Sequence, residues 1–405
     1  MHGDEGDGPV TRPHVVLLGH GAERTGPPIL LAHLVRGLAA GGRYDLSVLT
    51  ARSGPMLAEY EAAPARALAV SAAREPLGRT AAALRQVGAG SAVGPLQDAR
   101  RRQVARRLAP ADLVYVNGAT PPTADLLRAL DPPPTTPVVV HVHELDVGLR
   151  INLGDEQRRD LFDRADRIVA ASGAVARLLV DGHGLAPERI TTCAEFVDVA
   201  ALQPLPPDEA RAAAGIPAGA PVIGGVGLLD WRKDPDHLLR AVHALRRSDP
   251  DLDPWVLWVG GDPDSDDGRR TAAEARRLGL EDRFRHVGHQ DHPDRLLGAM
   301  DVFALPSRED ALPLAALEAA ATGLPLVCFR AGGIADLCDL GAGTTVEYPD
   351  TAAFARALAD LLADPEARAR VGSAARALVR AEHDTGVGVA RIAAVIDAGL
   401  EGGRR

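Results

Sequence analysis

Short apolar runs alternate with longer amphipathic stretches along most of the chain. In the first half the runs are His14–Gly19, Asp45–Leu49, Asp112–Asn117, Val138–His143 and Arg167–Ala171, and each is predicted to be a strand. Between them lie Ala/Leu/Arg segments of helical period, such as Ile29–Ala40 and Thr123–Leu130. Continuous apolar strands belong in a sheet buried on both faces, and strands separated by helices pair in parallel. The pattern pauses from Phe196 to Pro221, where several prolines surround one short Ala/Glu/Arg helix, the signature of a connection. A second alternation follows, with predicted strands at Val222–Val226, Trp255–Val259, Arg283–Val287, Val302–Leu305, Leu326–Phe329 and Thr344–Val346. Helices close the chain from Thr351 onward.

This pattern predicts an α/β protein of two successive doubly wound, Rossmann-like domains. The expected divisions are a disordered tail over 1–12, an N-terminal domain over 13–200 and a C-terminal domain over 201–382. A last helix over 383–405 is expected to pack back on the N-terminal domain. Open parallel sheets bind ligands at the carboxyl ends of their strands, and large sites favour domain interfaces. The expected site is therefore a central cleft onto which the strand-to-helix loops of both domains face.

Composition narrows the function classes. The 405 residues are 46% hydrophobic and only 3% aromatic, so the cores are aliphatic. The net charge of -10 argues against a nucleic-acid partner. One basic run, Arg100, Arg101, Arg102, Arg106 and Arg107, is either a solvated helix face or a patch for an acidic ligand or anionic surface. Three cysteines, Cys193, Cys328 and Cys338, form neither a disulfide framework nor a zinc pattern and read as buried thiols. The acidic, Gly-rich start is not a signal peptide, and no apolar stretch approaches the ~20 residues needed to span a bilayer. A cytoplasmic protein without a transmembrane segment is expected.

Candidate chemistry sits where strands end. After the first strand, Gly19-His20-Gly21-Ala22-Glu23-Arg24-Thr25-Gly26 leads into a helix, a setting for either a phosphate or a plain tight turn. Pro27 and Pro28 stand where a phosphate loop needs Lys and Ser/Thr, which excludes a P-loop nucleoside triphosphatase. The fourth predicted strand ends in His141-Val142-His143-Glu144, with both histidines on one face and His143 at the carboxyl end. No third ligand at suitable spacing is evident, so no metal site is expected. The second domain opens with Gly224-Gly225-Val226-Gly227 and then Asp230-Trp231-Arg232-Lys233, adjacent cations that suit a diphosphate. Further on, Asp310 precedes a predicted helix start that it could cap, Pro313 fits the first turn, and Glu318 lies within an otherwise apolar helix. A charge there either points outward or faces a polar ligand.

At these residues the chain resembles the family 4 glycosyltransferases. The resemblance runs from about His14 to the terminal helices. It is carried by Asp310 and Glu318 with seven residues between them, by Ser307-Arg308-Glu309-Asp310 and Leu312-Pro313-Leu314, by Asp230-Trp231-Arg232-Lys233, and by Arg24-Thr25-Gly26-Pro27-Pro28. It implies the GT-B fold, retention of configuration, and transfer of a sugar from a UDP- or GDP-sugar to a hydroxyl acceptor with no cofactor or metal. By the same resemblance Gly26 lies near the donor phosphates, and His143 and Asp310 are the catalytic candidates that contact the sugar. Arg232 and Lys233 would hold the diphosphate, Glu318 the ribose, and Gly288 the base through its backbone; Leu312 completes the donor-binding set. Three departures stand out: Asp310 replaces the commoner Glu, Ala311-Leu312 replaces a glycine-rich turn, and no basic residue precedes Arg232 in its loop.

Two alternatives share this architecture. A sugar-nucleotide epimerase would convert donor without acceptor, and a catalytically silent binding protein would hold donor without turnover. Acceptor recognition is expected from segments between Gly54 and Arg107.

Overall fold

The computed structural model describes residues 12–71, 93–108 and 110–403. The N-terminal tail and much of the expected acceptor segment lie outside the described residues. The chain divides into two compact units. One comprises residues up to Ala170, Leu185–Thr191 and residues from Val389 onward; the other comprises Ala171–Gly184 and Thr192–Gly388.

In the first unit the apolar runs become β1 (His14–Gly19), β2 (Asp45–Arg52), β4 (Leu113–Asn117), β5 (Val138–Val142) and β6 (Arg167–Ala170). Two further strands, β3 (Ala65–Ser71) and β7 (Ile190–Thr192), extend the sheet to seven in the order β3-β2-β1-β4-β5-β6-β7. Neither was foreseen. β3 reads Ala-Arg-Ala-Leu-Ala, poor in the branched residues that mark strands, and β7 is three residues long with two exposed. Val15, Val16, Leu17 and Leu18 are all fully buried. Consecutive strand residues point to opposite faces, so both faces of β1 are covered. Residues 389–403 belong to this unit; Asp397 accepts from Tyr44 at 2.5 Å and Arg43 at 2.6 Å.

In the second unit β8 (Val222–Val226), β9 (Trp255–Val259), β11 (Val302–Leu305) and β12 (Leu326–Phe329) coincide with their predicted runs. With β10 (Phe284–His286) and β13 (Gly343–Val346) they form a parallel sheet in the order β10-β9-β8-β11-β12-β13. The helix Pro235–Ser248 buries Leu238, Leu239, Val242 and Leu245, spaced three and four apart as one helical face requires. They join Val256, Trp258, Val302, Phe329, Phe354 and Leu358 in one core cluster. Each such side chain contributes about 1.5–3 kcal/mol of burial. No helix among the described residues is long and apolar enough to cross a membrane.

Each sheet has one place where the strand order reverses. In the first it lies between β1 and β4, in the second between β8 and β11. There the connections leave in opposite directions and open a crevice at the carboxyl ends. Glycine backbone knits the second sheet at that edge. Gly260 holds φ at +106°, and its amide donates to Gly288 O at 2.8 Å. A Cβ on Gly260 would come within 2.6 Å of Gly227 O. Gly260→Ala therefore meets both a forbidden dihedral and a backbone clash. The variant is expected to lose ~2–4 kcal/mol, read as a lowered Tm, and an unchanged Tm refutes the packing described.

Candidate active site

In the second unit the loops after β8 and β11 meet at the reversal point. Lys233 Nζ lies 2.5 Å from Asp310 Oδ2, and Arg232 Nη1 lies 3.3 Å from Asp310 Oδ1. Lys233 and Asp310 are both 8% exposed. A buried ammonium needs such a countercharge. Asp230 Oδ1 accepts from the Lys233 amide at 2.8 Å, and Ser307 Oγ lies 3.3 Å from Asp310 Oδ2. The loops are also tied through main chain, Arg308 N donating to Arg232 O at 2.8 Å.

Asp310 does not cap the following helix. The helix is Leu314–Thr322, its cap position is Pro313, and no side chain caps it. The Asp310 carboxylate is taken by Lys233 and Arg232 instead, since a buried ion pair outweighs an N-cap bond. The Asp310 segment is pinned from the other side, with Asp310 N donating to Ala331 O at 3.0 Å and Gly333 N to Ala311 O at 2.8 Å. The amides of Ala311, Leu312, Leu314 and Ala315 donate to no acceptor among the described residues. Clustered N–H groups at a helix start favour an anion.

Glu318 stands on the second turn of that helix. It is partly buried and makes no hydrogen bond or ion pair among the described residues. Desolvation, helped by the negative Asp294, raises its pKa to about 7. Gly288 lies just beyond β10 at the glycine-knit edge.

In the first unit Gly26 opens the helix Gly26–Gly41 after β1, and its Cα faces open space. Asn117, at the end of β4, donates to Pro27 O at 2.9 Å and accepts from His143 Nε2 at 3.0 Å. Glu144 accepts from the amides of His143 at 3.0 Å and Ala119 at 3.1 Å. His143 sits one residue past β5, held by the polar ends of two neighbouring strands. His141 is fully buried beneath it, its Nδ1 2.7 Å from Tyr115 Oη. Burial first, then His143, drives its pKa well below the usual histidine range. Burial likewise lowers His20, with Arg52 and His143 adding to the effect and Glu23 opposing it.

The second-unit assignments Arg232, Lys233 and Asp310 thus converge on one cluster, while in the first unit Asn117 bonds His143 and the carbonyl of Pro27, the residue after Gly26. The sequence reading missed Asn117, Glu144, Asp234 and Arg308. A polar residue closing the apolar run Leu-Val-Tyr-Val was a usable signal for Asn117. The pair Asp234–Arg308 spans 74 positions and has no local signature. The three cysteines are free and buried, and Cys328 Sγ lies 3.5 Å from Cys338 Sγ. Within the basic run, Arg101 pairs with Asp98 at 2.8 Å and Asp125 at 3.0 Å, while Arg102, Arg106 and Arg107 are exposed.

Two parallel α/β sheets of seven and six strands, each with one order reversal, define a protein of the GT-B class. Two family models match the chain in succession, Glycosyltransferase Family 4 over residues 25–201 and Glycosyl transferases group 1 over residues 207–378. The chain belongs to the family 4 glycosyltransferases. It is 36% identical over 231 residues to a D-inositol 3-phosphate glycosyltransferase of Saccharomonospora viridis, covering 55% of this chain and 53% of that protein. The like-named protein of Salinispora arenicola is 35% identical over 237 residues, 55% and 52% of the two chains. The chain spans about half the length of the curated relatives it matches. Among solved structures, Anabaena HepE in complex with UDP and glucose has a TM-score of 0.75 at 20% identity, over 95% of this chain and 99% of that one. Sucrose-phosphate synthase from Thermosynechococcus elongatus has a TM-score of 0.73 at 19% identity, over 96% and 99%.

The raised pKa of Glu318 sets a pH dependence. Its folded value, about 7, lies above the ordinary 4.5, so the folded chain binds the proton more tightly. That preference costs nothing at low pH, and stability falls as pH rises from 4.5 to about 7. Glu318→Gln is expected to remove this slope and to raise Tm by roughly 3 °C above the window. Thermal melts of both proteins across the range check it; a difference in Tm that does not vary with pH refutes the raised value.

Proposed function

We propose that this protein is a retaining glycosyltransferase that moves a hexosyl group from a nucleoside-diphosphate sugar to a hydroxyl acceptor without a divalent ion. The observation that carries the reading is the buried Lys233–Asp310 pair, with Arg232 beside it, at the reversal between β8 and β11. In the reaction the bond from the anomeric carbon to the β-phosphate oxygen breaks as the bond from the acceptor oxygen forms. The acceptor proton passes to the departing phosphate oxygen. Negative charge grows on the diphosphate, and Lys233, Arg232 and the unpaired amides from Ala311 to Ala315 receive it. These groups supply the charge stabilisation that a metal ion gives elsewhere. Asp310 holds Lys233 in place until phosphate oxygens arrive and then contacts the sugar; in the first unit His143 is the candidate sugar contact. Glu318 accepts from the ribose hydroxyls, and the backbone at Gly288 meets the base.

UDP-sugars come before GDP-sugars as donors to test, because the HepE neighbour holds UDP and, in another crystal, UDP-glucose. The names of the relatives make a phosphorylated polyol the first acceptor to try. The expected result is a new glycosidic product whose anomeric configuration, read by NMR, matches the donor's, at a rate that EDTA leaves unchanged. Lys233→Ala is expected to lower kcat/KM by roughly 10²–10³. An inverted product, turnover abolished by EDTA, or full activity in the variant sinks the reading.

A further inference from the structure

Apart from Asp131, Asp234 is the one non-glycine residue among the described residues with positive φ, at +47°. It occupies the cap position of the helix Pro235–Ser248, yet its side chain makes no cap hydrogen bond. A cap residue is normally extended and spends its carboxylate on the helix amides. Glycine would take this backbone shape without strain. Aspartate therefore gives up both a relaxed backbone and a cap bond. What it gains is an ion pair across the crevice, with Asp234 Oδ2 2.7 Å from Arg308 Nε and 3.7 Å from His237 Nδ1. Asp234 is 4% exposed. Burial opposes its charge, but the nearby His237 and the hydrogen bond from Arg308 outweigh burial and hold its pKa below the usual carboxylate range. His237 is itself fixed, 3.0 Å from Thr351 Oγ1 and edge-on to Phe329 at 4.7 Å between ring centroids.

We propose that Asp234 is a positioning residue that clasps the β11 loop to the β8 loop through Arg308 and so sets Lys233 and Asp310 for the donor diphosphate. Lys233 is the residue immediately before Asp234, and Asp310 lies two residues after Arg308. The clasp therefore joins the backbone segments that carry the two charges. Arg308 is held twice, its side chain by Asp234 and its amide by Arg232 O. Without the carboxylate Arg308 keeps only its main-chain tie, and its side chain, partly exposed, turns to solvent, leaving the Asp310 pairs to hold the loops.

The proposal rests on the donor-site reading above, and its test separates the two. UDP and GDP binding is measured by calorimetry, and kcat and KM by transfer assay, for wild type, Lys233→Ala, Asp234→Gly, Asp234→Asn, Arg308→Ala and the double variant Asp234→Gly/Arg308→Ala. Asp234→Gly keeps a glycine-compatible backbone, and circular dichroism checks that it is folded. It is expected to lose about tenfold to a hundredfold in kcat/KM, falling mostly on kcat because geometry rather than contact is lost. Asp234→Asn tolerates positive φ and still accepts from Arg308, so it recovers part of the loss. The double variant loses no more than the worse single one, because both break one clasp. If wild type binds a nucleoside diphosphate and Lys233→Ala does not, the donor reading stands. In that case unchanged kinetics in a folded Asp234→Gly, or losses that multiply in the double variant, overturn the clasp alone. If wild type binds neither nucleotide, the donor reading falls and the clasp with it.

Discussion

An ammonium group taken out of water must meet a negative charge, and in this protein Lys233 meets Asp310. The cost of burying either charge alone is several kcal/mol. That cost fixes where two otherwise independent loops can lie. Lys233 follows β8 and Asp310 follows β11, strands adjacent in the sheet but 77 residues apart along the chain. The pair forms where the strand order reverses, and there neighbouring strands send their connections apart and leave their ends open. Sheet topology, the ion pair and the site are thus one constraint seen at three scales.

The local charges nearly cancel. Lys233 and Arg232 bring two positive charges, and Asp310 and Asp230 two negative ones, all within one loop cluster. A cluster so balanced is tolerable when empty. In the proposed reaction a diphosphate adds negative charge, which the side chains alone would not absorb. The four unpaired amides beginning at Ala311 supply the remaining donors without adding net charge. They face no competing carboxylate of their own because Asp310 has turned to the cations instead of capping the helix. The failed cap thus leaves those donors without a carboxylate of their own.

The alternation of apolar runs made the two sheets legible, since continuous burial on both faces leaves a strong trace in sequence. Four of the six strands in the second unit match their predicted limits because their flanks are prolines, glycines or charges that stop a strand abruptly. β3 escaped because alanine and arginine carry little strand signal, and β7 because three residues at a sheet edge carry almost none. The site was legible in part. Arg232 and Lys233 are adjacent in sequence, and Asp310 and Glu318 share a single segment, so each pair could be noticed locally. What joins those pairs is long-range. Asp310 looked like a helix cap because its neighbours in sequence are helical, whereas its decisive neighbour is Lys233. Asp234 looked like ordinary loop polarity because nothing near it in sequence announces Arg308.

Unlike the acids that tie the loops together, Glu318 has no countercharge among the described residues. Asp310, Asp234 and Asp301 each have a basic partner within 3.3 Å, and each lies at a strand end or loop where two segments must be joined. Glu318 makes no such tie among the described residues. It lies on a helix whose other residues are Ala, Leu and a final Thr, and desolvation there raises its pKa instead of a partner lowering it. Under the proposed function its compensation lies in the ribose hydroxyls it would bind. Ribose hydroxyls would meet that need with two hydrogen bonds and no added charge.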